Sequence, residues 1–372
     1  MHTGARKRFG PLLFEGTGTT LGFGAWGIGG SAWGASSDEA ERLAAIDLAR
    51  ERGVVWFDTA PTYGDGASER LLGQALAHHR ASVRIATKVG PYDDPRPSLE
   101  QSLRRLGTDY VDLVQLHEIA DGWEGRLETL HVLQQQGKAR AIGVCNASHI
   151  QLTRALRVAP VAAYQGPYNL FDRDAEERLL PLCRERGLAF LGYRPLASGL
   201  LGGGFLEPPR FADGDHRARL YWFRGAEFER RRAVIGKLTE LAGAAGISLP
   251  ALALRWLLAR NGVTIVLAGA RTADHVADNL TAQDAPLDDA TSGAIEAALR
   301  TVFRLPAATT AAAQEAHSWG PRERFIVERL DGRATPEAIA AAWTDRGEQP
   351  MVAAQVKVFA DQLRERGLAG AV

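Results

Sequence analysis

The chain has 372 residues, enough for one large domain or two ordinary ones with ample core. Lysine plus arginine and aspartate plus glutamate both number 44, so no global field favours nucleic acid or an anionic membrane, and 45% hydrophobic with 24% charged residues is ordinary for a soluble globular protein. Two cysteines, Cys145 and Cys183, form neither a CxxC motif nor a disulfide framework, and the basic N-terminus has no apolar h-region after it; a cytoplasmic protein is expected, with no nucleic-acid or membrane partner.

In chain order, Gly22, Gly24 and Gly27 spell GxGxxG, but the dinucleotide fingerprint needs its last glycine to open a helix. Here the next helical pattern starts near Ser37, so Leu21 to Trp26 reads as a first strand, with Trp26 and Trp33 lining what opens above it. A helix over Asp38 to Arg52 precedes the apolar strand Val54 to Phe57, ended by Asp58. Thr59 to Ala67 is a loop carrying Tyr63, and Ser68 reads as the N-cap of a helix with Glu69 in its first turn. The alternation continues: strand Val83 to Thr87, then Lys88; helix Ser98 to Leu106; strand Val111 to Leu116, then His117; helix Arg126 to Gln136; strand Ala141 to Val144, then Asn146. After it come helix His149 to Val158, strand Val161 to Tyr164 with Gln165, helix Asp174 to Arg186, and strand Leu188 to Leu191 with Tyr193. The last strand, Val263 to Ala268, precedes Gly269 to Asn279. Roughly eight strand–helix units predict an α/β fold, a (β/α)8 TIM barrel. Residues 202–232 read as a long loop overhanging the C-terminal face, with Tyr221, Trp222 and Phe223 adjacent.

Asp58, Lys88 and His117 each follow an apolar strand run, and Tyr63 lies a few residues beyond one. Singly, each has an ordinary structural reading as a turn starter, a solvated terminus, a rim histidine or a packing tyrosine. Together at successive strand ends they converge on one barrel mouth. A tyrosine with an unperturbed pKa near ~10 is a weak proton donor at neutral pH. A lysine ammonium favours its phenolate, and a carboxylate keeps that lysine charged, so Asp58–Lys88–Tyr63 reads as a proton relay, with His117 orienting a carbonyl oxygen or sharing the proton. No activated serine or cysteine and no metal-ligand spacing accompanies them, which suggests carbonyl polarisation with hydride from a bound cofactor.

The segments FDTAPTYGDGASERLLGQAL, ATKVG, LVQLHE, IGVCNAS, AYQGPYNLFDRDAEERLLPLCRERGLAFLGYRPLASGLLGGGF and VLAGARTADHVADN resemble the aldo-keto reductase superfamily over about residues 10 to 300. The resemblance implies an oxidoreductase using NADP(H) to reduce a small-molecule aldehyde or ketone, with Tyr63 as acid/base and Asp58, Lys88 and His117 as partners. It further implies Asn146 and Gln165 on the nicotinamide carboxamide and Tyr193 stacked on the ring. Leu196, Ser198, Gly199 and Leu200 fall at the pyrophosphate, and Gly269, Arg271, Thr272, His275 and Asn279 at the adenosine end. A guanidinium from Arg271 beside a helix N-terminus suits a 2′-phosphate, hence NADPH. Trp26, Trp33 and Trp222 are the substrate-pocket candidates. The chain departs from the family pattern at Cys145 and Arg194, where serines are common, at His275, more often glutamine, and at Asp278, often glutamate.

The expected domains are the barrel over 1–304, an Ala/Thr-rich linker over 305–320, and a small helical domain over 321–372. Helices are expected over 321–330 and from the Thr335–Pro336 cap to Trp343, with a third carrying Val352, Val356, Phe359 and Leu363. This last part resembles the helical half of winged-helix peptide-recognition domains of bacterial biosynthesis, which would imply a peptide or protein partner; a structural extension or subunit contact is the other reading. Alternative functions are a tailoring reductase for a peptide or carrier-bound intermediate, and a cofactor-sensing binding protein without turnover.

Overall fold

The structure is a computed structural model that describes residues 20–30, 33–34, 38–205, 207–300, 325 and 343. Strand β1 (Thr20–Gly24) is followed by helix α1 (Glu39–Glu51), β2 (Trp56–Asp58), α2 (Ala67–Leu76), β3 (Arg84–Val89), α3 (Pro95–Leu106), β4 (Val111–Leu116) and α4 (Trp123–Gln135). Then come β5 (Ala139–Cys145), α5 (His149–Val158), β6 (Val161–Pro167), α6 (Leu179–Arg186), β7 (Ala189–Tyr193), α7 (Gly225–Ala244), α8 (Leu249–Leu258), β8 (Ile265–Gly269), α9 (Ala273–Thr281) and α10 (Asp289–Arg300). The eight strands are all parallel and close in sequence order, β8 pairing back onto β1, which is the (β/α)8 barrel expected.

The barrel interior follows from the period-two alternation of a strand. Trp56, Ala86, Leu113, Ala141, Ala163, Leu191, Ile265 and Leu267 form one buried cluster. A single large indole is accommodated because the strands facing it contribute alanines. Two residues further along the same strands stand Asp58, Lys88, Gln115, Gly143, Gln165 and Tyr193, on the same face and about 7 Å nearer the C-terminal end. The apolar layer therefore fills the barrel interior, and the polar set packs over it as its ceiling at the C-terminal end. At the opposite end, the wholly buried Asp112 carboxylate accepts from Arg80 at 2.7 Å, Arg140 at 3.1 Å and the Ile85 amide at 3.0 Å. These contacts tie neighbouring strands together, consistent with the stabilising role of the N-terminal face.

Two loops are pinned by glycine. Gly64 has φ of +62°, and a Cβ there would fall 1.3 Å from the Gly29 carbonyl oxygen, so the loops after β1 and β2 touch backbone to backbone. Ser68 is not the N-cap expected: Gly66, at φ 77°, caps α2 without a side-chain bond. Ser68 is instead buried in the first turn, donating to the Ala25 carbonyl at 2.9 Å and bonding Thr59 Oγ1 at 2.7 Å. Glu69 likewise does more than favour the helix dipole; it is buried, accepting from Thr87 at 2.7 Å and Arg105 at 3.1 Å.

The chain divides into two compact units, one comprising 1–204 and 239–292, the other 205–238 and 293–372. The barrel strands all lie in the first. Residues 202–232 are not the plain loop expected: short helical turns at His216–Arg219 and Tyr221–Phe223 lead into α7, which starts at Gly225. Phe205, Phe211 and Phe223 pack edge to face at 4.9 to 5.9 Å, and Asp215 pairs with Arg217 at 2.6 Å. Trp222 is buried within this second unit. Of the C-terminal helices expected, only Phe325 and Trp343 are described; both are helical and buried, with rings 5.1 Å apart. The rest of the tail, and the peptide-binding reading attached to it, lie outside the described residues. No single helix among those described is long and apolar enough to cross a membrane.

Candidate active site

The polar ceiling is built around Lys88. Its side chain is 1% exposed, and its ammonium donates to Asp58 Oδ1 at 2.7 Å, the Thr59 carbonyl at 2.8 Å and the Tyr63 hydroxyl at 3.3 Å. An ammonium has three N–H groups, and all three are used. Lys88 lies inside β3 rather than after it, next to Asp58 at the end of β2, so neighbouring strands carry the ion pair into the barrel without a flexible loop. Asp58 Oδ2 accepts from Gln165 Nε2 at 2.9 Å, and Gln165 Oε1 accepts from the Cys145 thiol at 3.3 Å. Each oxygen of the buried carboxylate is thus partnered.

Tyr63 is half-buried on the loop after β2 and accepts from Lys88, which leaves its own O–H free to donate into the mouth. Burial raises its pKa to about 12; the Lys88 ammonium pulls the other way and is outweighed. The expectation that the lysine would win, lowering the phenol, is therefore corrected: Tyr63 is a neutral donor. For Lys88, burial disfavours the charge, but the Asp58 carboxylate beside it prevails and holds the ammonium above its ordinary value. His117 sits edge-on to the Tyr63 ring at 5.9 Å. Burial, helped by Lys88, lowers its pKa to about 3, so the imidazole is neutral at working pH and offers an uncharged hydrogen bond.

The structure thus brings Asp58, Lys88, Tyr63 and His117 into one cluster. Asn146, with φ of 56°, follows β5 and donates to the His117 carbonyl at 3.1 Å while accepting from the Tyr193 hydroxyl at 2.8 Å. Its amide and that of Gln165 are both engaged with protein groups. Trp26 stands 6.1 Å from the Tyr63 ring and 4.9 Å from Trp33, forming one aromatic wall. Trp222, the third substrate-pocket candidate, belongs to the second unit.

The remaining cofactor candidates lie on two loops. Leu196 to Leu200 is a tight turn in which Ala197, Ser198 and Gly199 have φ of 48°, 56° and 91°. Ser198 Oγ is buried there with no hydrogen-bond partner among the described residues, which marks a position awaiting an acceptor or donor. At the end of β8, Thr272 caps α9 by accepting from the His275 amide at 3.3 Å, and Asn279 donates back to the Gly269 carbonyl at 3.2 Å. Arg271 sits beside that helix N-terminus and donates to the Trp33 carbonyl at 3.1 Å. An unpartnered hydroxyl in a left-handed turn, an arginine at a helix start and the Tyr193 ring form a donor set suited to a nicotinamide dinucleotide phosphate. No cluster of metal-ligating side chains occurs among the described residues.

Sequence reasoning missed Gln115 and Thr59, and read Ser68 only as a helix cap. Gln115 is wholly buried, its amide without a partner among the described residues, and it pairs in register with Lys88. Its position two residues beyond Leu113 was the available signal.

A family model, the aldo/keto reductase family, matches residues 20–300. Among curated proteins, the aldo-keto reductase YhdN of Bacillus subtilis is 36% identical over 274 residues, covering 68% of this chain and 81% of that protein. The NADH-specific methylglyoxal reductase of Escherichia coli is 31% identical, covering 73% and 91%. Among solved structures, the glycerol dehydrogenase AKR11B4 of Gluconobacter oxydans superposes with a TM-score of 0.70 at 33% identity, covering 78% of this chain and 94% of that one. An aldo-keto reductase from Klebsiella pneumoniae in complex with NADPH superposes with a TM-score of 0.60 at 28% identity, covering 74% and 89%.

Proposed function

The chain belongs to the aldo/keto reductase family, and on that premise we propose that it reduces an aldehyde or ketone to an alcohol, with Tyr63 as general acid and NADPH as cofactor. The single observation that carries the reading is the hydroxyl of Tyr63, which accepts from a fully committed ammonium and keeps its own proton for the mouth. The cofactor, when bound, supplies the hydride. Tyr63 delivers a proton to the carbonyl oxygen as negative charge develops there. Lys88 then stabilises the phenolate left behind; its interaction strengthens as the tyrosine loses its proton, which is what accelerates rather than merely binds. Asp58 and Gln165 hold Lys88 charged and in place. Neutral His117 orients the carbonyl oxygen without competing as an acid.

The relatives differ in cofactor: the Escherichia coli enzyme is named NADH-specific, and the Klebsiella pneumoniae structure holds NADPH. Arg271 at the start of α9 supports the phosphorylated cofactor here, because a guanidinium can pair bidentately with a 2′-phosphate. Ser198, Gly199, Leu196 and Leu200 would line the pyrophosphate, Tyr193 the nicotinamide, and Thr272, His275 and Asn279 the adenosine end.

The test is Tyr63→Phe with NADPH titrated by fluorescence and its oxidation followed with a generic aldehyde. The expected outcome is retained binding and a loss of about 10²–10⁴-fold in turnover. A variant reducing aldehydes at the parent rate removes Tyr63 from the role. A parent protein that binds NADPH and turns over no carbonyl returns the cofactor-sensing reading.

A further inference from the structure

Arg194 is a cation at this mouth that the proton relay does not use. It follows β7 directly, with φ of 54°, a left-handed conformation that costs a non-glycine residue strain and tends to persist at functional sites. Its carbonyl is clamped by Asn169 Nδ2 at 3.0 Å and the Ala197 amide at 2.9 Å, so the backbone cannot relax. The clamp aims the side chain across two rings: the guanidinium carbon lies 5.5 Å from the Tyr193 centroid and 5.9 Å from the Trp26 centroid. Trp26 in turn faces Tyr63 at 6.1 Å, so the guanidinium stands one indole away from the acid.

Among the described residues no carboxylate reaches it, it forms no ion pair, and its buried Nε–H has no partner, the residue as a whole being half-buried. Arg80 and Arg105, two other covered arginines of the barrel unit, are by contrast matched to Asp112 and Glu69. A guanidinium held by two aromatic faces is oriented yet keeps its in-plane N–H fork open, which suits a planar carboxylate or a phosphate.

We propose that Arg194 is a specificity residue that binds an anionic group on the substrate, so that the preferred substrates are carbonyl compounds carrying a carboxylate or phosphate some bonds away from the reacting carbonyl. This rests on the reductase reading above. The same fork could instead face a phosphate of the cofactor, and the experiment separates the two.

The probes are 4-carboxybenzaldehyde and benzaldehyde, matched except for the charge. The parent enzyme, R194Q and R194G, the last suited to the left-handed backbone, are compared by kcat/KM on each aldehyde and by NADPH Kd from fluorescence. The expected result is that the parent favours the carboxylated aldehyde and that both variants lower the ratio of the two kcat/KM values at least tenfold, chiefly through KM, with NADPH Kd within about twofold of the parent, as a lost charge-assisted contact to substrate alone would give. An unchanged ratio overturns the proposal, and so does an unchanged ratio accompanied by weakened NADPH binding, which assigns the arginine to the cofactor. Should neither variant fold, inhibition of the parent by benzoate against benzamide decides: competitive inhibition by benzoate alone supports the proposal, and equal or absent inhibition overturns it. A parent that reduces neither aldehyde defeats the reductase reading instead.

Discussion

Asp58→Asn isolates the electrostatic part of the relay with the least change of shape. Asparagine keeps one oxygen for Lys88, now neutral, while its amide nitrogen meets the Gln165 Nε2 that formerly donated at 2.9 Å. Two donors then face each other unless Gln165 turns its amide over and loses its contact from Cys145. Removing one member of a buried ion pair costs about 3–5 kcal/mol, and because one acceptor survives, about 3 is expected here. At about 2–4 °C per kcal/mol for a large domain, the melting temperature should fall by roughly 6–12 °C. The kinetic consequence concerns the proton on Lys88. In the parent, Asp58 holds the ammonium above its ordinary value, so the pair's contribution is complete below about pH 10 and is lost only above that. In the variant, burial is opposed only by the weaker pulls of Tyr63 and Cys145 and draws the lysine down, so its charge is lost at lower pH and the basic limb of the kcat profile moves to lower pH. Turnover at pH 7 should drop by about 10²-fold, within the range for a disabled acid/base. Scanning calorimetry with a kcat profile over pH 5–10 tests both. A variant with parental melting and a parental basic limb would refute the account of Asp58 as the group that keeps Lys88 charged.

Three shorter predictions follow from single contacts. Arg271→Ala should weaken NADPH binding by about 2 kcal/mol while NADH binding changes little, since only the phosphorylated cofactor would lose a charge-assisted contact; equal weakening of both would assign Arg271 to holding the Trp33 carbonyl. The His117 imidazole should remain neutral in NMR titrations down to about pH 4, because its value is lowered to about 3, and stability should therefore decline as pH falls below about 6.5, where the unfolded chain takes up the proton first; a midpoint near 6.5 would contradict this. Gly64→Ala puts a methyl 1.3 Å from the Gly29 oxygen at a φ of +62°, and the loop holding Tyr63 must shift, at a cost of about 3 kcal/mol or more in thermal unfolding; parental stability with parental turnover would mean the two loops do not need to touch.

The alternation of apolar runs and helical stripes was enough to determine the barrel, because a strand shows its buried face every second residue and a helix every third or fourth. The same alternation put Asp58, Lys88 and His117 at successive strand ends, which is a one-dimensional fact about the chain. What the chain could not state is which neighbour each polar group meets across strands far apart in sequence. Gln165 reaches Asp58 over 107 positions, and this contact gives a candidate cofactor ligand a second task, as a support for the ion pair. Ser68 looked like a helix cap because its local pattern fits one; burial against Thr59 and the Ala25 carbonyl claimed its hydroxyl first. The direction of the Tyr63 shift was likewise beyond the sequence, since a lysine's pull and the loss of water oppose each other and only the depth of the site decides between them. Residue type and spacing determined the chemistry on offer; tertiary packing decided the protonation states and the partners, because desolvation and contact distance exist only once the barrel has closed.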